Sequence, residues 1–534
     1  MDLKGLPLTL IAAVASVTAF QNTDSAPHTT FRSTTRLVQV NVVAVNKNGE
    51  PVKDLQKEDF TLLEDGHPQT VAVFVAEQAK PVKPPTPPPN EFSNQLPSTN
   101  PTRSGYTVIL IDWLNTGMDS RVSSRQQVIK LLQEVEMTDL VALFVLDRDL
   151  RVLHDFTTDR AELAKKLAAT YAGLSEGPPG EKPGIAAVPL FPGEVDEHSP
   201  NADVAERRNT RALEIRRTLD TFSAIEQIAS YLGTAPGRKS LVWVTSGFSS
   251  AMGFENGLLT EDKDAWSSAM SDDRRSFSAE MSRLLRRLNN ADIAVYPVDA
   301  RGLVSDPEQG ASRRLAVNLV GMKEIAARTG GRAYYSGNDL DHAIRSALDD
   351  SKISYTLGYY PTNDKNDGAY HNLSVKINRP GVTLRYRTGY EAENDNKPKT
   401  KIVADLGQVF GNPLDTTSLP LRAQAVRTGK MLDVSLRMEP STLTFRQESG
   451  RRSGAISVLY TFRPPESSGK IHVYSELNKL ALPEAQYKKL LQGGWRTFRK
   501  QIPIPENATS LRLAVRDEES GLMGSVTIPI TAVR

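Results

Sequence analysis

The hydrophobic positions of this chain change period three times. From Arg36, Val38, Val40 and Val42 recur at every second residue within Leu37–Val45, the alternation of a half-buried strand, and Asn48-Gly49 supplies a tight turn. DFTLLEDGHPQTVAVFVAE then reads as strand, Asp65-Gly66 turn, strand. Two hairpins are too few strands to be stable alone, so residues 34–79 form a β module that needs a partner.

Beyond Gly105 the pattern alternates. TVILID is a continuous apolar run, as expected of a strand buried on both faces. Residues 120–137 place Val128, Leu131, Leu132 and Val135 on one helical face. DLVALFVLD and LRVLHDF read as paired strands joined through a polar turn at 147–149, and 158–171 is helical again. Residues 202–232 carry apolar side chains at 212, 215, 219, 222, 225, 229 and 232, an amphipathic helix. SLVWVT, a helix over 277–288, DIAVYPVD, a helix over 319–328 closed by Gly330-Gly331, the strand RAYYS, and a helix capped by Asn338 or Asp339 and running through Leu348 follow. Such alternation predicts a doubly wound, mostly parallel α/β sheet over 105–350.

The remaining segments flank that unit. ISYTLGYYPTN, HNLSVKIN and VTLRYRTGY, within 351–392, are strands placed to complete the N-terminal β module. Residues 400–534 read as a second, Ig-like β-sandwich with one helix at 484–491. Residues 80–104 contain eight prolines by Pro101 and no periodicity, the pattern of an extended linker. The Pro/Gly-rich stretch 173–201 reads as a mobile surface insertion. Residues 1–19 have the apolar core and small-residue end of a signal peptide, which predicts an exported protein: periplasmic, at the cell surface or secreted. No later segment approaches the ~20 apolar residues of a membrane span.

Composition narrows the function classes. The 534 residues suffice for about three domains. A formal charge of +2, from 65 basic and 63 acidic residues, leaves no footprint for nucleic acid. There is no cysteine, which excludes disulfides, thiolate nucleophiles and iron–sulfur clusters. GTAPGRKS, at 233–240, departs from a phosphate loop: an arginine separates Gly237 from Lys239, and the segment leads from helix to strand. VTSGF lacks the first glycine of a hydrolase elbow. No catalytic constellation stands out, and the chain is read as a non-enzyme.

Candidate chemistry therefore lies at the carboxyl ends of the sheet strands, where open α/β folds bind ligands. Asp112, Asp147 and Asp299 each follow an apolar strand, and Ser246 follows another. Asp112, Asn115 and Thr116 offer oxygens for part of a Mg²⁺ shell from one loop. The same residue types also cap helices and tie loops together.

The segments VKDLQKEDFTLLEDGHPQ, TVILIDWLNT, APGRKSLVWVTSGF, ADIAVYPVDARGL, MKEIAARTGGRAYY and SYTLGYYPTN, taken in order, resemble a von Willebrand factor A domain. More narrowly they resemble the related proteins common in acidobacterial genomes. The resemblance implies a doubly wound sheet and a metal-ion-dependent adhesion site. That site uses Asp-x-Ser-x-Ser after the first strand, a threonine from a second loop and an aspartate after the fourth strand. Asp112 stands at the first aspartate and Thr116 at the second serine, whereas Leu114 replaces the first serine. Ser246 stands where the later aspartate would be, the threonine has no counterpart, and Asp299 sits one strand further over. The implied site is a degenerate one for Mg²⁺ or Mn²⁺, with Asp112 and Thr116 as ligands and Asn115, Ser246 and Asp299 as contributors. The implied function is non-catalytic adhesion or binding to a protein or glycan partner. A metal-free structural or assembly scaffold of the envelope, and behind it a metal-dependent enzyme, are the alternatives.

Overall fold

A computed structural model describes residues 37–533 except 79–87, 97–104, 135–139, 173–199, 234, 236, 247–266, 301–320, 336–338, 363–368, 393–411, 449–450, 465–471 and 493–495. Residues 1–19, read as a signal peptide, and nearly all of the insertion 173–201 lie outside the described residues. Among the described residues no helix is long and apolar enough to cross a membrane.

The α/β unit begins with the sixth strand of the chain, β6 (Tyr106–Asp112). It continues through α1 (Met118–Glu134), β7 (Leu140–Leu146), β8 (Leu150–Thr157), α2 (Arg160–Ala172), α3 (Pro200–Leu232), β9 (Lys239–Thr245), α4 (Ser267–Asn290), β10 (Ile293–Asp299), α5 (321–329) and α6 (Asp339–Lys352). The strand order is β10-β9-β6-β7-β8. All neighbours run parallel except β7 and β8, which pair antiparallel around the polar turn. The expected last strand, RAYYS, contributes a single parallel bridge from Tyr334 to Val298. Its short contact still extends the order on the β10 side, as a doubly wound sheet requires.

The continuous apolar runs follow from burial on two faces. Along β6, Val108 and Leu110 point into a cluster with Phe222, Ile225 and Ile228 of α3 and Leu284 and Leu288 of α4. Ile109 and Ile111 point the other way, onto Val128 and Leu132 of α1, Leu163 of α2 and Ile344 of α6. A strand with helices on both sides has no polar face to alternate with.

The strands before and after this unit share sheets. β1 (Val38–Val45) pairs antiparallel with β11 (Ile353–Tyr359), which also pairs with β4 (Val71–Gln78). β13 (Thr383–Arg385) joins the other side of β1. A second sheet has the order β14-β12-β2-β3, from Gly389–Glu391, Tyr370–Ile377, Phe60–Glu64 and His67–Gln69. The expected hairpin around Asp65-Gly66 forms, but its second strand is only the short β3, and the apolar run that follows continues as β4 in the other sheet. β3 takes the place beside β2, and the chain changes sheets at Thr70. Both sheets face one apolar cluster containing Val40, Val42, Phe60, Leu62, Tyr355, Leu357 and Val375.

The C-terminal region also has two sheets on one cluster. β16 (Met431–Met438) lies between β15 (Leu421–Thr428) and β20 (Arg496–Pro503). The second sheet runs β17 (Arg446–Glu448), β18 (Arg451–Arg463), β21 (Ser510–Asp517) and β22 (Met523–Pro529), with β19 (His472–Pro483) also on β18. α7 (Glu484–Gln492) follows β19. Alternate residues of β15 and β16, among them Leu421, Ala423, Val434 and Leu436, meet Val458, Leu513 and Ile528 of the second sheet in the cluster between them.

One expectation needs correction. Part of the proline-rich stretch 80–104 is packed rather than a spacer: β5 (Glu91–Ser93) pairs antiparallel with β15. Asn94 is buried, donates to the carbonyls of Thr416 and Leu419, and accepts from the Leu421 N–H. Two residues on, Leu96 sits in the α/β core. A short unpatterned segment is held here by backbone pairing and two buried side chains, which periodicity does not register.

Both flanking regions meet the α/β unit at the amino ends of its parallel strands. Thr417 donates from its N–H and its hydroxyl to the carbonyls of Ser230 and Tyr231 at the end of α3. Arg238, just before β9, is 4% exposed and donates to the carbonyls of Gly330 and Asn41. It lies 3.5 Å from the Tyr296 hydroxyl, which donates to Asp350 at 2.6 Å, and Arg385 completes the chain on the other Asp350 oxygen at 2.5 Å. Gly330 follows α5 with φ +77°, and a Cβ there would sit 2.8 Å from the Arg387 nitrogen. Glycine is thus required twice over, by the left-handed cap and by the close approach.

Lys239 is buried beside this network and donates to the Ala235 carbonyl. Burial pushes its pKa from 10.5 down to about 8, against the pull of Asp292. Between those two pH values the unfolded chain binds more protons than the folded one, so this group adds stability as pH rises. The stability of the wild type relative to Lys239→Met is therefore expected to climb between pH 8 and 10.5, by up to ~3 kcal/mol. Urea unfolding at several pH values measures it, and a flat difference would mean that the ammonium stays hydrated.

Candidate functional site

The carboxyl edge of the sheet is organised around Asp112, the last residue of β6. Strand register sets Asp112 opposite Leu146 of β7, and Ile111 opposite Val244 of β9, so the carboxylate projects beside the end of β9. The chain then turns sharply, with the N–H groups of Trp113 and Leu114 both donating to the Leu146 carbonyl.

Asp112 is 0% exposed. Its Oδ1 accepts the Asn115 N–H at 3.0 Å. Its Oδ2 accepts Asn115 Nδ2 at 2.8 Å, Trp243 Nε1 at 3.0 Å and the Thr245 hydroxyl at 2.9 Å. Asn115 Nδ2 also donates to Thr221 Oγ1 of α3 at 2.7 Å. The Thr116 hydroxyl donates to the Asp112 carbonyl at 2.6 Å and accepts the Ser246 N–H at 3.2 Å. One carboxylate thereby ties together the ends of β6 and β9, the following loop and α3.

Burial pushes the Asp112 pKa up, and the donors from Asn115, Thr245 and Trp243 only partly offset it. A divalent ion in contact would push the other way, by favouring the charged form.

The six residues singled out by sequence therefore separate. Asp112, Asn115, Thr116 and Ser246 come together in one hydrogen-bonded loop system. Asp299 aligns with Thr245 in the β9–β10 register, and its N–H donates to the Tyr334 carbonyl. Asp147 lies on the neighbouring turn, where it pairs with Arg151 at 2.7 Å.

The donor set does not fit a divalent cation at Asp112. Three protein donors converge on Oδ2 and a fourth on Oδ1 of this fully buried carboxylate, so most of its about four lone-pair sites are in use. An ion on Oδ2 would have to displace an indole N–H and an amide from charge-assisted hydrogen bonds, the stronger kind. The Ser246 hydroxyl is buried without a partner among the described residues, yet a single neutral hydroxyl is a poor ligand for an ion that favours carboxylates.

Trp243, Thr245 and Thr221 were not foreseen as members. A tryptophan inside an apolar strand is itself a signal, because its buried N–H needs an acceptor, but the sequence does not say which one.

No protein-family model matches the chain, and no curated protein does. Among solved structures, similarity extends to an aerotolerance-related membrane protein of Bacteroides fragilis, at 13% identity over 46% of this chain and 98% of that one, with a TM-score of 0.25. The von Willebrand domain of the type V pilus tip protein Mfa5 of Porphyromonas gingivalis aligns at 11% identity, over 46% and 94% of the two chains, with a TM-score of 0.23. The ArnB paralog VWA2 of Sulfolobus acidocaldarius covers 85% of this chain and 78% of its own at 10% identity, with a TM-score of 0.20. At such scores the superpositions carry no argument. Strand order and direction assign the α/β fold.

If Asp112 is an anchor, Asp112→Ala leaves Trp243 Nε1 and Asn115 Nδ2 facing a cavity, at a cost of roughly 3 kcal/mol. Thr245→Val removes one donor and should cost about 1 kcal/mol. Denaturant unfolding distinguishes the two losses, and a near-neutral Asp112→Ala would mean that water replaces the carboxylate.

Proposed function

We propose that this chain is an exported, non-catalytic binding protein of the von Willebrand factor A type, with the carboxyl edge of its α/β sheet offered to a protein or glycan partner without a resident metal. The flanking regions act as β-sandwich modules that hold the α/β unit from behind. Export rests on the apolar pattern of residues 1–19.

The observation that carries this reading is the asymmetry of the two sheet edges. At the amino edge, Arg238 and Thr417 bind the α/β unit to both flanking regions. At the carboxyl edge, the described loops are internally braced by Asp112 and Arg121, which donates to the Thr116 carbonyl. Arg148 and Asp149 of the β7–β8 turn are exposed there. A braced edge loses little conformational entropy on binding, which favours recognition.

The test is capture of a partner from envelope extract by the full chain, comparing wild type with Arg148→Glu/Asp149→Arg and repeating each arm in EDTA. Capture should fall at least tenfold in the charge-reversed variant and be unchanged by EDTA. Capture indifferent to the variant would move the contact elsewhere, as a scaffold role requires. Capture abolished by EDTA in the wild type and recovered with Mg²⁺ but not with Zn²⁺ would restore the metal at this edge.

A further inference from the structure

We propose that Glu64, Asp65 and His371 form a binding site for a divalent transition-metal ion, Zn²⁺ by the chemistry of the donors, at the turn of the β2–β3 hairpin. The site lies outside the α/β unit and is independent of the partner-binding reading above.

Two carboxylates and an imidazole meet there, from β2, the turn after it and β12. Glu64 ends β2, Asp65 opens the turn, and His371 lies on β12, beside β2 in the same sheet. His371 Nδ1 is 2.9 Å from Asp65 Oδ2 and 3.5 Å from Glu64 Oε1. One ligand atom from each residue falls within 4.8 Å of the others. Zinc bonds of about 2.0–2.2 Å in a tetrahedron set ligand–ligand edges of about 3.4 Å, so the 3.5 Å edge already matches, and the 2.9 Å hydrogen bond between His371 and Asp65 would open by about 0.5 Å.

Charge supplies a second, separate argument. Glu64 is 4% exposed and His371 is 5% exposed. Among the described residues, the only ion-pair partner of Glu64 is His371. Two carboxylates meet one imidazole, and a buried carboxylate without a fixed cation is costly. A doubly charged ion balances the pair, whereas one imidazolium does not. On binding, Nδ1 becomes a ligand and the ring proton resides on Nε2. The exposed side of Asp65 leaves room for a water as fourth ligand, the arrangement of an open zinc site.

The surroundings hold the ligands in place. The Tyr359 hydroxyl donates to Glu64 Oε2 at 2.5 Å, and the Tyr390 hydroxyl lies 3.4 Å from Oε1. The His371 ring stacks on Tyr390 with centroids 5.3 Å apart. The Asn372 N–H donates to Asp65 Oδ1 at 2.8 Å, leaving Oδ2 turned toward the imidazole. Asp65 has φ 48°, a left-handed conformation that asparagine also accepts. Outer contacts of this kind fix ligand orientation in metal sites.

Isothermal titration of Zn²⁺ into the full chain, stripped of metal beforehand, tests the site. One saturable site is expected, weakened by about 10- to 100-fold or more in Asp65→Asn and in His371→Gln. His154→Ala, which alters a histidine paired with Glu162 on the α/β unit, should leave it unchanged. Asp65→Asn keeps the turn, so loss of binding with an unaltered melting temperature of the apo protein separates ligation from misfolding. Zn²⁺ should also raise the melting temperature of the wild type and not of Asp65→Asn. Absence of saturable binding to the wild type at submillimolar Zn²⁺, or binding that survives both variants, overturns the assignment.

Discussion

A guanidinium removed from water must find oxygen acceptors within the protein, and Arg238 finds them on three separate parts of the chain. Gly330 follows α5, Asn41 belongs to β1, and Tyr296 lies on β10. Tyr296 passes the connection to Asp350, and Arg385 holds the other Asp350 oxygen. Breaking such a buried arrangement by removing one member costs roughly 3–5 kcal/mol, because the charge left behind has no water to turn to. This chain of contacts, together with the Thr388 N–H donating to the Ala327 carbonyl and the Arg286–Glu391 ion pair, seats the split β module against the α/β unit. Its apolar cluster holds the module's own two sheets together, but does not by itself fix where they dock.

Asp112 solves the complementary problem at the opposite edge. There the buried group is an acceptor, and the donors come from Asn115, Trp243 and Thr245. The two networks differ in what they join. Arg238 joins modules, whereas Asp112 joins a loop to the sheet that carries it. The consequence is a sheet clamped behind and braced in front, so that exposed turn residues such as Arg148 and Asp149 are presented on a rigid base. The braced loop gives a carboxylate at the end of the first sheet strand a structural use: its lone pairs accept from Asn115, Trp243 and Thr245.

Much of the α/β unit was legible in the sequence because burial leaves a periodic trace. TVILID and DIAVYPVD are apolar throughout since helices cover both faces, and α3 buries Phe222, Ile225, Ala229 and Leu232 at helical spacing, although Leu219, read as part of the same stripe, is exposed. The antiparallel β7–β8 pair was legible from a polar turn too short for a crossover. The packed piece of the proline-rich stretch was not, because β5 has three residues and its anchoring falls to Asn94 and Leu96, single positions with no pattern. The switch of sheets at Thr70 was hidden for a similar reason: one residue separates β3 from β4, and a hairpin reading fits the same letters. The candidate site was legible by half. A carboxylate after a strand marked Asp112, but its partners Trp243 and Thr245 are more than a hundred residues away, and only the parallel register of β6 and β9 makes them neighbours.

The split module shows how such distance shapes the molecule. β1 and β11 pair across the whole α/β unit, and the Asp65–Asn372 contacts join residues 307 apart in sequence. Loop-closure entropy makes these pairings costly until the intervening chain is compact. Once the α/β unit has folded, its ends bring Ile353 and the strands that follow within reach of β1. The turn at Asp65 and the imidazole of His371 are therefore brought together at lower entropic cost once the central unit is compact. A ligand that binds both would stabilise a contact between the two halves of the module rather than a local loop. That is where a single ion adds most, because each half pairs only two of its own strands and every other ladder crosses between the halves.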